Sequence, residues 1–261
     1  MASVEEQWDA LLPVKPTHDV KSRLLPTDRE TRMQLVPAFV SDTIAALAKS
    51  GRVARIAIVG RRSPLAAEVA TPIMWINEPG SASVVDEPLD RLNVALSHAV
   101  RVLRESARRP IIIVAADLPS LRAANVSVIL TRASFAAGAN PAGPAGPAGS
   151  AGGADRGLPS FVRDASGTGT TMLLTPADVL PNPHFGPNSA NRHARSGAVD
   201  ISALAGAGTR RDVDTAADLR QAMTIGLGRH SALAVARSVY RGLAVRDSSP
   251  GHEQAGQPWP D

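Results

Sequence analysis

The sequence feature that most constrains the fold is a run of five apolar residues in mid-chain, Ile111 to Ala115, whose first four members are β-branched. A strand that is apolar on both faces is typical of the centre of a parallel sheet covered by helices on either side. Apolar runs at 10–14, 56–59 and 73–76 alternate with segments in which apolar residues recur at helical spacing. The alternation predicts an α/β fold with a mostly parallel central sheet and helices on both faces.

The rest of the chain adds weaker predictions and sets the domain limits. Spacing, caps and turn signals predict helices over about 27–50, 64–70, 89–105, 189–196, 215–223 and 230–241, and strands near 160–162, 172–174, 198–201 and 210–214. We expect one domain over 9–242, an N-terminal tail over 1–8 and a disordered, polar C-terminal tail over 243–261. Residues 138–157 are rich in Pro, Ala and Gly, which predicts a flexible surface insertion.

The charge balance raises the question of a nucleic-acid partner. The chain carries 28 Lys and Arg against 24 Asp and Glu, with a net charge of +4, and clustered cations bind phosphate backbones. The arginines are scattered, however, and aromatic residues make up only 3% of the chain, which leaves few side chains for base stacking. The composition therefore argues against nucleic acid as a partner, and a non-catalytic basic binding module remains the alternative from a different functional class.

Two absences limit the chemistry and the location. The sequence contains no cysteine, so a metal would need oxygen or imidazole ligands. No run approaches the ~18 consecutive apolar residues of a membrane span, and the chain begins with acidic residues rather than with a basic and apolar leader. We therefore expect a cytoplasmic protein without a membrane partner.

Three aspartates are candidate metal ligands. Asp117 follows the central apolar run, and the ligands of open parallel sheets gather at the carboxyl ends of the strands. Asp212 and Asp214 flank Val213, and alternation along an extended strand would turn both carboxylates to one side, ready to share hard divalent cations such as Mg2+. The alternatives are structural, because Asp117 could cap a helix near 121 and Asp214 could cap the helix that follows it.

Three cations, Lys15, Lys21 and Arg23, follow the first predicted strand. Only three of the 28 basic residues are lysine, and two of these lie in this segment. Cations here can neutralise a triphosphate, with lysine as a point charge and arginine as a bidentate donor. The alternative is a solvated basic loop, and the glycines of a P-loop are absent.

Two polar loops further along the chain are candidate anion sites. Residues 167–171, Gly-Thr-Gly-Thr-Thr, offer flexible backbone, exposed amides and hydroxyl groups, although a hairpin turn has the same composition. Phe185 and Gly186 lead to a short helix that Ser189 is expected to cap, and the N-terminus of a helix also attracts anions. Arg192 and His193 on that helix receive no role, because a lone histidine is more often structural or solvated than catalytic.

Five motifs occur in order over about residues 10–230, and they are Pro13-Val14-Lys15…Lys21-Ser22-Arg23-Leu24, Ala116-Asp117-Leu118-Pro119, Gly167-Thr168-Gly169-Thr170-Thr171, Phe185-Gly186…Ser189…Arg192-His193…Gly197-Ala198 and Arg211-Asp212-Val213-Asp214-Thr215. Together they resemble the 2-phospho-L-lactate and phosphoenolpyruvate guanylyltransferases of deazaflavin coenzyme F(420) biosynthesis. The resemblance implies a nucleotide-diphospho-sugar transferase fold of the GT-A type, GTP as the donor and a three-carbon phospho-acid as the acceptor.

The resemblance also implies roles for individual residues. It implies Mg2+ bound by Asp117, Asp212 and Asp214, and an acceptor held by Lys15, Thr170, Gly186 and Ser189. Lys21 and Arg23 would face the triphosphate, and Asn93 would belong to the guanine side of the pocket. The sequence departs from the family at the 138–157 insertion and at Arg91, where a small residue is usual.

The implied reaction is attack of an acceptor phosphate oxygen on the α-phosphorus of GTP, with pyrophosphate as the leaving group. The near alternative is another nucleotidyltransferase of the same fold that acts on a sugar phosphate or on molybdopterin. Spacing does not distinguish phosphoenolpyruvate, 2-phospho-L-lactate and phosphoglycerate as acceptors. It also leaves the oligomeric state open, with a homodimer as one arrangement.

Overall fold

The computed structural model describes residues 6–14, 29–60, 62, 67–79, 88–138 and 157–247. The elements in these ranges are, in chain order, β1 (Trp8–Pro13), α1 (Arg29–Lys49), β2 (Val53–Val59), β3 (Ile73–Ile76), α2 (Pro88–Ser106), β4 (Ile111–Val114), α3 (Ala123–Gly138), β5 (Ser160–Arg163), β6 (Thr170–Thr175), α4 (Ser189–Arg195), β7 (Val199–Asp200), a 3-10 turn (Ser202–Leu204), α5 (Ala207–Arg210), α6 (Ala216–Ile225) and α7 (Arg229–Asp247).

The described strands form one seven-stranded sheet in the order β3-β2-β1-β4-β6-β5-β7. The first four strands in this order are parallel to one another, whereas β6 runs antiparallel to both β4 and β5. β1 and β4 are direct neighbours, with Ala10 opposite Ile112. The carboxyl ends of β1 and β4 therefore lie side by side at one edge of the sheet.

The central strands bury both of their faces, because alternate residues of a strand point to opposite sides. Ile112 of β4 belongs to the core cluster that includes Ile44 of α1 and Ile129 of α3. Its neighbour Ile113 belongs to the cluster on the other face, with Leu96 of α2. Helices cover both faces of a mostly parallel sheet, which confirms the predicted α/β architecture.

The last helix is attached to α1 through a buried carboxylate. Asp42 of α1 accepts hydrogen bonds from the backbone N–H groups of His230 at 3.0 Å and Ser231 at 2.8 Å, in the first turn of α7. These N–H groups have no partner within the helix, so the carboxylate acts as a cap supplied by another element. No helix in the described ranges, α7 included, combines the length and the apolar character that crossing a membrane requires.

The predicted strand near 210–214 is wrong. Residues 207–210 form α5, and residues 211–214 are irregular. The reason is tertiary, since the Val213 N–H donates to the carbonyl oxygen of Asp117 at 3.1 Å instead of to a neighbouring strand. The Val213 side chain is fully buried beside Phe39 of α1 and Ala222 of α6, which fixes the segment without a sheet.

Several boundaries also differ from the sequence predictions. Trp8, which was assigned to the N-terminal tail, begins β1 and is 2% exposed. α7 continues to Asp247, so residues 243–247 are helical and do not belong to a disordered tail. Residues 67–70 are not helical, and the rest of the helix predicted at 64–70 lies outside the described residues. Residues 139–156 of the predicted insertion and residues 248–261 of the predicted tail also lie outside them.

Candidate active site

The candidate site is built on the loop that follows β4. Asp117 precedes Ala123, the first residue of α3, by six positions and so is not the N-cap of that helix. Thr43 of α1 fixes the loop from behind, because its hydroxyl oxygen accepts the Leu118 N–H at 3.1 Å and lies 3.1 Å from the carbonyl oxygen of Ala116. Because Asp117 lies six positions before α3, the alternative that it caps this helix is excluded.

A second segment lies directly against this loop. The Val213 N–H binds the Asp117 carbonyl oxygen, and Ser120 Oγ donates to the carbonyl oxygen of Ala222 in α6 at 2.9 Å. These bonds bring Asp212 and Asp214 alongside Asp117, although the chain positions between them differ by about a hundred. Thr215, and not Asp214, is the N-cap of α6, where it forms a capping box with Asp218.

Asp212 carries the clearest electrostatic signature of the site. Its pKa is raised to about 7, first because burial disfavours the charged carboxylate and then because the negative charges of Asp117 and Asp214 oppose its ionisation. A cation bound among the three groups would relieve this repulsion, and carboxylate oxygens are the ligands that Mg2+ prefers. The donor chemistry therefore fits a hard divalent cation.

The arrangement of the three aspartate side chains supports a metal site less strongly than their chemistry does. Within the described ranges, no three or more Asp, Glu or His side chains already stand in an arrangement that would hold a metal ion. Asp214 is exposed, whereas Asp117 and Asp212 are half-buried. The assignment of Asp117, Asp212 and Asp214 as metal ligands consequently stays a prediction.

Lys15, Lys21 and Arg23 lie outside the described residues, so their contacts with a triphosphate also stay a prediction. Val14, the last described residue before them, donates its N–H to the Val59 carbonyl oxygen at 2.8 Å. The chain therefore leaves the sheet at the carboxyl end of β1, next to the end of β4 that leads to Asp117.

The glycine and threonine segment is the hairpin turn between β5 and β6. Asp164 organises it, because its carboxylate accepts the Thr168 N–H at 3.0 Å and its carbonyl oxygen accepts the Gly167 N–H at 3.2 Å. A side chain at Gly169 would place its Cβ 2.5 Å from Asp164 Oδ2. The geometry of the turn therefore accounts for the presence of glycine at 167 and 169. The prediction of exposed amides is wrong for Gly167 and Thr168, because their N–H groups form hydrogen bonds within the turn.

Gly186 and Ser189 lie at the start of α4. Gly186 has a φ of 117°, a conformation that favours glycine, and its carbonyl oxygen accepts the Ser189 N–H at 3.1 Å. The N-cap of α4 is Asn188, in the left-handed region with a φ of 58°, and it makes no side-chain cap bond. The prediction that Ser189 caps this helix is wrong, because the turn at 186–188 starts the helix at Ser189 itself.

Asn93 of α2 holds the segment before α4 from the other side. Its amide nitrogen donates to the Phe185 carbonyl oxygen at 3.1 Å, and its amide oxygen accepts the Phe185 N–H at 2.8 Å. Arg192 Nη2 donates to the same carbonyl oxygen at 3.1 Å. Guanine contact by Asn93 stays a prediction, but these bonds give Asn93 a positioning task that the sequence did not reveal.

His193 is the residue of this region that sequence reasoning passed over. It is fully buried, its Nδ1 lies 3.0 Å from Thr170 Oγ1, and its Nε2 accepts the His184 N–H at 3.0 Å. The imidazole therefore links the first residue of β6 to the segment that precedes α4. The Arg192-His193 pair of the fourth motif was the only available signal, and a motif does not say whether a histidine is buried.

A pH-dependent stability follows from His193. Burial, followed by the charges of His184 and Arg192, lowers its pKa from 6.5 to about 4. A neutral buried histidine contributes stability that is present above pH 6.5 and is lost as the pH falls from 6.5 toward 4, because the unfolded chain binds the proton first. Over that range we expect the free energy of unfolding of the wild type to fall by up to about 3 kcal/mol more than that of His193→Phe. Urea unfolding at pH 7, 5.5 and 4.5 measures this difference, and parallel pH dependences in the two proteins would contradict it.

The overall fold matches that of a known class of proteins. A solved structure from Desulfovibrio desulfuricans G20, described as a nucleotide-diphospho-sugar transferase, matches with a TM-score of 0.50 at 14% identity and covers 84% of this chain and 96% of that chain. At this identity the likeness concerns the fold alone. The fold is that of the nucleotide-diphospho-sugar transferases, as the motifs implied.

Relatives of higher identity narrow the class to a family. Residues 8–143 match the family described as "Guanylyl transferase CofC like". A phosphoenolpyruvate guanylyltransferase of Streptomyces scabiei (strain 87.22) is 37% identical over 242 residues, which cover 90% of this chain and 99% of the relative. One from Geodermatophilus obscurus is 37% identical over 233 residues, covering 86% and 92%. The chain belongs to the CofC-like guanylyl transferase family and is a nucleotidyltransferase, which confirms the resemblance found in its motifs.

Proposed function

We propose that this enzyme transfers GMP from GTP onto the phosphate of phosphoenolpyruvate in coenzyme F(420) biosynthesis. The relatives that match almost the whole chain carry the name phosphoenolpyruvate guanylyltransferase. The structural observation that carries the proposal is the hydrogen bond from the Val213 N–H to the Asp117 carbonyl oxygen, which joins the segment of Asp212 and Asp214 to the loop that follows β4. Transfer from a nucleoside triphosphate requires that the negative charge of its phosphate groups be neutralised.

In the proposed reaction, one bond to the α-phosphorus of GTP forms and one breaks. An acceptor phosphate oxygen forms a bond to the α-phosphorus of GTP, and the bond from the α-phosphorus to the oxygen that leads to the β-phosphate breaks. Pyrophosphate leaves with that oxygen. Because the acceptor phosphate is already ionised at neutral pH, the protein needs no strong general base, and its task is to position the two substrates and to balance their charge.

On the GTP side of the site, two groups of charged residues would balance the charge of the triphosphate. Asp117, Asp212 and Asp214 would hold Mg2+, which supplies positive charge to the triphosphate when it is bound. The raised pKa of Asp212 supports this assignment, because it reflects first the burial of the carboxylate and then its repulsion by Asp117 and Asp214. Lys15, Lys21 and Arg23 follow β1 in the sequence and would provide the remaining positive charge.

The acceptor side combines the hairpin and the start of α4. The Ala190 N–H of α4 donates to the Thr168 carbonyl oxygen of the hairpin at 3.1 Å, so the two segments are in direct contact. Thr170, Gly186 and Ser189 lie along this junction and, with Lys15, would hold the phospho-acid. Thr170 and Ser189 are 8% and 1% exposed, so both side chains are buried at this junction.

An assay of pyrophosphate release tests the proposal. GTP and Mg2+ are mixed with the enzyme and with phosphoenolpyruvate, 2-phospho-L-lactate or 3-phosphoglycerate in separate reactions, and ATP replaces GTP in a control. We expect release with GTP and phosphoenolpyruvate, and its loss when EDTA is added. Faster release with 2-phospho-L-lactate would assign that compound as the acceptor instead of phosphoenolpyruvate. The absence of release with all three acids would overturn the proposal. A non-catalytic basic binding module predicts no release under any of these conditions, and family membership already argues against it.

A further inference from the structure

We infer that His193 is a positioning residue for acceptor binding, and that it orients the Thr170 hydroxyl so that the hydroxyl hydrogen is available to an anionic oxygen of the acceptor. This inference rests on the proposed function, because it concerns the same acceptor site. It adds a residue to which neither the motifs nor the names of the relatives give a role.

The hydrogen bonds of His193 determine which ring nitrogen carries the hydrogen. The backbone N–H of His184 can only donate, so Nε2, 3.0 Å away, is the acceptor. A neutral imidazole that accepts through Nε2 carries its hydrogen on Nδ1, which therefore donates to Thr170 Oγ1 at 3.0 Å. Since the Thr170 oxygen receives this bond, its own hydrogen points elsewhere and can be donated to a ligand.

The surroundings of the ring favour this neutral tautomer. His193 is fully buried, with Phe161 of β5 and with His184 and Phe185 of the preceding segment around it. Arg192 on the same helix and His184 are the charged or titratable groups that act on it. Burial opposes the charged form of the ring, and the charges of His184 and Arg192 oppose it further, so the pKa is lowered to about 4. A proton on Nε2 would also meet the His184 N–H donor.

His193 acts at a junction between two parts of the acceptor site. Thr170 belongs to β6, whereas His184 and Phe185 precede α4, and the imidazole hydrogen-bonds both segments. The two hydrogen bonds between Asn93 of α2 and the Phe185 backbone hold the segment before α4 in place. Loss of the imidazole would therefore leave the segment in place but would release the Thr170 hydroxyl from its orientation, which affects the acceptor more than GTP.

A double-mutant cycle between His193→Phe and Thr170→Val tests the inference. Phenylalanine keeps an aromatic ring beside Phe161 and removes both hydrogen bonds, while valine keeps the shape of threonine and removes its hydroxyl. We expect each single change to raise the KM for phosphoenolpyruvate about tenfold, the effect of one hydrogen bond to an anion, with the KM for GTP within about twofold of the wild type. Because both changes remove the same interaction, the double variant should be no worse than Thr170→Val alone.

Several outcomes would overturn the inference. Independent effects that multiply to about a hundredfold in the double variant would show that His193 does not act through Thr170. An unchanged acceptor KM in His193→Phe would do the same. The matched control is His98→Phe, on α2, which replaces a half-buried histidine and should change neither KM.

Two conservative variants cover the case in which His193→Phe does not fold. The amide of His193→Asn lies near the position of Nδ1 and can keep the bond to Thr170, whereas the amide of His193→Gln lies near Nε2 and can keep the bond from His184. We expect asparagine to preserve the acceptor KM better than glutamine, and the opposite order would contradict the role proposed for Thr170.

The proposed function and this inference fail in different ways. If the wild type releases no pyrophosphate with phosphoenolpyruvate, the proposed function is wrong whatever His193 does. Nitrogen-15 NMR of the histidine rings then still tests the geometry, because it should show His193 neutral at pH 7 with its hydrogen on Nδ1. A hydrogen on Nε2, or a charged ring, would overturn the inference without any measurement of activity.

Discussion

Replacing Asp212 by asparagine is expected to lower the rate of pyrophosphate release by about a thousandfold while making the metal-free protein more stable. The rate falls because the change removes a carboxylate from the proposed Mg2+ site. The stability rises because the carboxylate is half-buried beside Asp117 and Asp214, which raises its pKa to about 7 and makes its ionised form unfavourable in the folded chain. Since water screens part of this repulsion, we expect a gain of about 1 to 2 kcal/mol in the free energy of unfolding at pH 8 with EDTA present.

The matched control for Asp212→Asn is Asp200→Asn. Asp200 lies in β7 and forms an ion pair with Arg163. Burial opposes its ionisation, but hydrogen bonds from the Ser202 hydroxyl, from Arg163 and from the Ser202 N–H together lower its pKa. Its replacement should leave kcat within about twofold and should not stabilise the protein. Asp117→Asn and Asp214→Asn should reduce the rate as Asp212→Asn does. Wild-type rates in the Asp212 variant would show that the metal assignment is wrong.

Replacing Gly208 by alanine is expected to produce the largest loss of stability of any single change considered for this chain. A Cβ at this position would lie 2.1 Å from the backbone carbonyl oxygen of Ser120, three residues beyond Asp117. A backbone atom cannot rotate away as a side chain can, so α5 and the loop must separate. We expect a loss of about 3 kcal/mol or more, which corresponds to a fall of roughly 6–12 °C in Tm, and a lower kcat in the protein that remains folded.

Gly51→Ala provides the comparison for Gly208→Ala. Gly51 has a φ of 71° but nothing within 4 Å of its added Cβ, so the change tests backbone strain without a clash. We expect it to cost about 1 kcal/mol and to leave kcat unchanged. Thermal unfolding and pyrophosphate release, measured on both variants, separate the two effects. Equal stability of Gly208→Ala and the wild type would contradict the close packing of α5 on the Asp117 loop.

The architecture could be predicted from the sequence because its central strands are buried on both faces. An apolar run such as Ile111 to Val114 is typical of a central strand buried on both faces, and its buried position was confirmed. The strand at 73–76 and the helix predicted at about 215–223 were confirmed for similar reasons, since their signals are local. Family membership was also predictable, because it rests on several motifs in a fixed order and on no single one of them.

The details of the site depend on contacts between distant segments, which local patterns do not contain. The irregular path at 211–214 is set by the bond from Val213 to Asp117, and an extended segment with this composition looks the same as a strand in the sequence. The Gly167 and Thr168 amides are occupied because Asp164 turns back on them. His193 gains its partners only when α4 packs against the hairpin.

We expect the GMP unit of GTP, and not its terminal phosphate, to move to the acceptor beside the carboxyl ends of β1 and β4. The most direct measurement is to follow the label from α-labelled and from γ-labelled GTP in parallel reactions with phosphoenolpyruvate and Mg2+. The α-label should appear in a new product that forms only with phosphoenolpyruvate, while the γ-label should appear in pyrophosphate. Transfer of the γ-label to the acceptor, or no transfer of the α-label, would show that the enzyme does not transfer GMP.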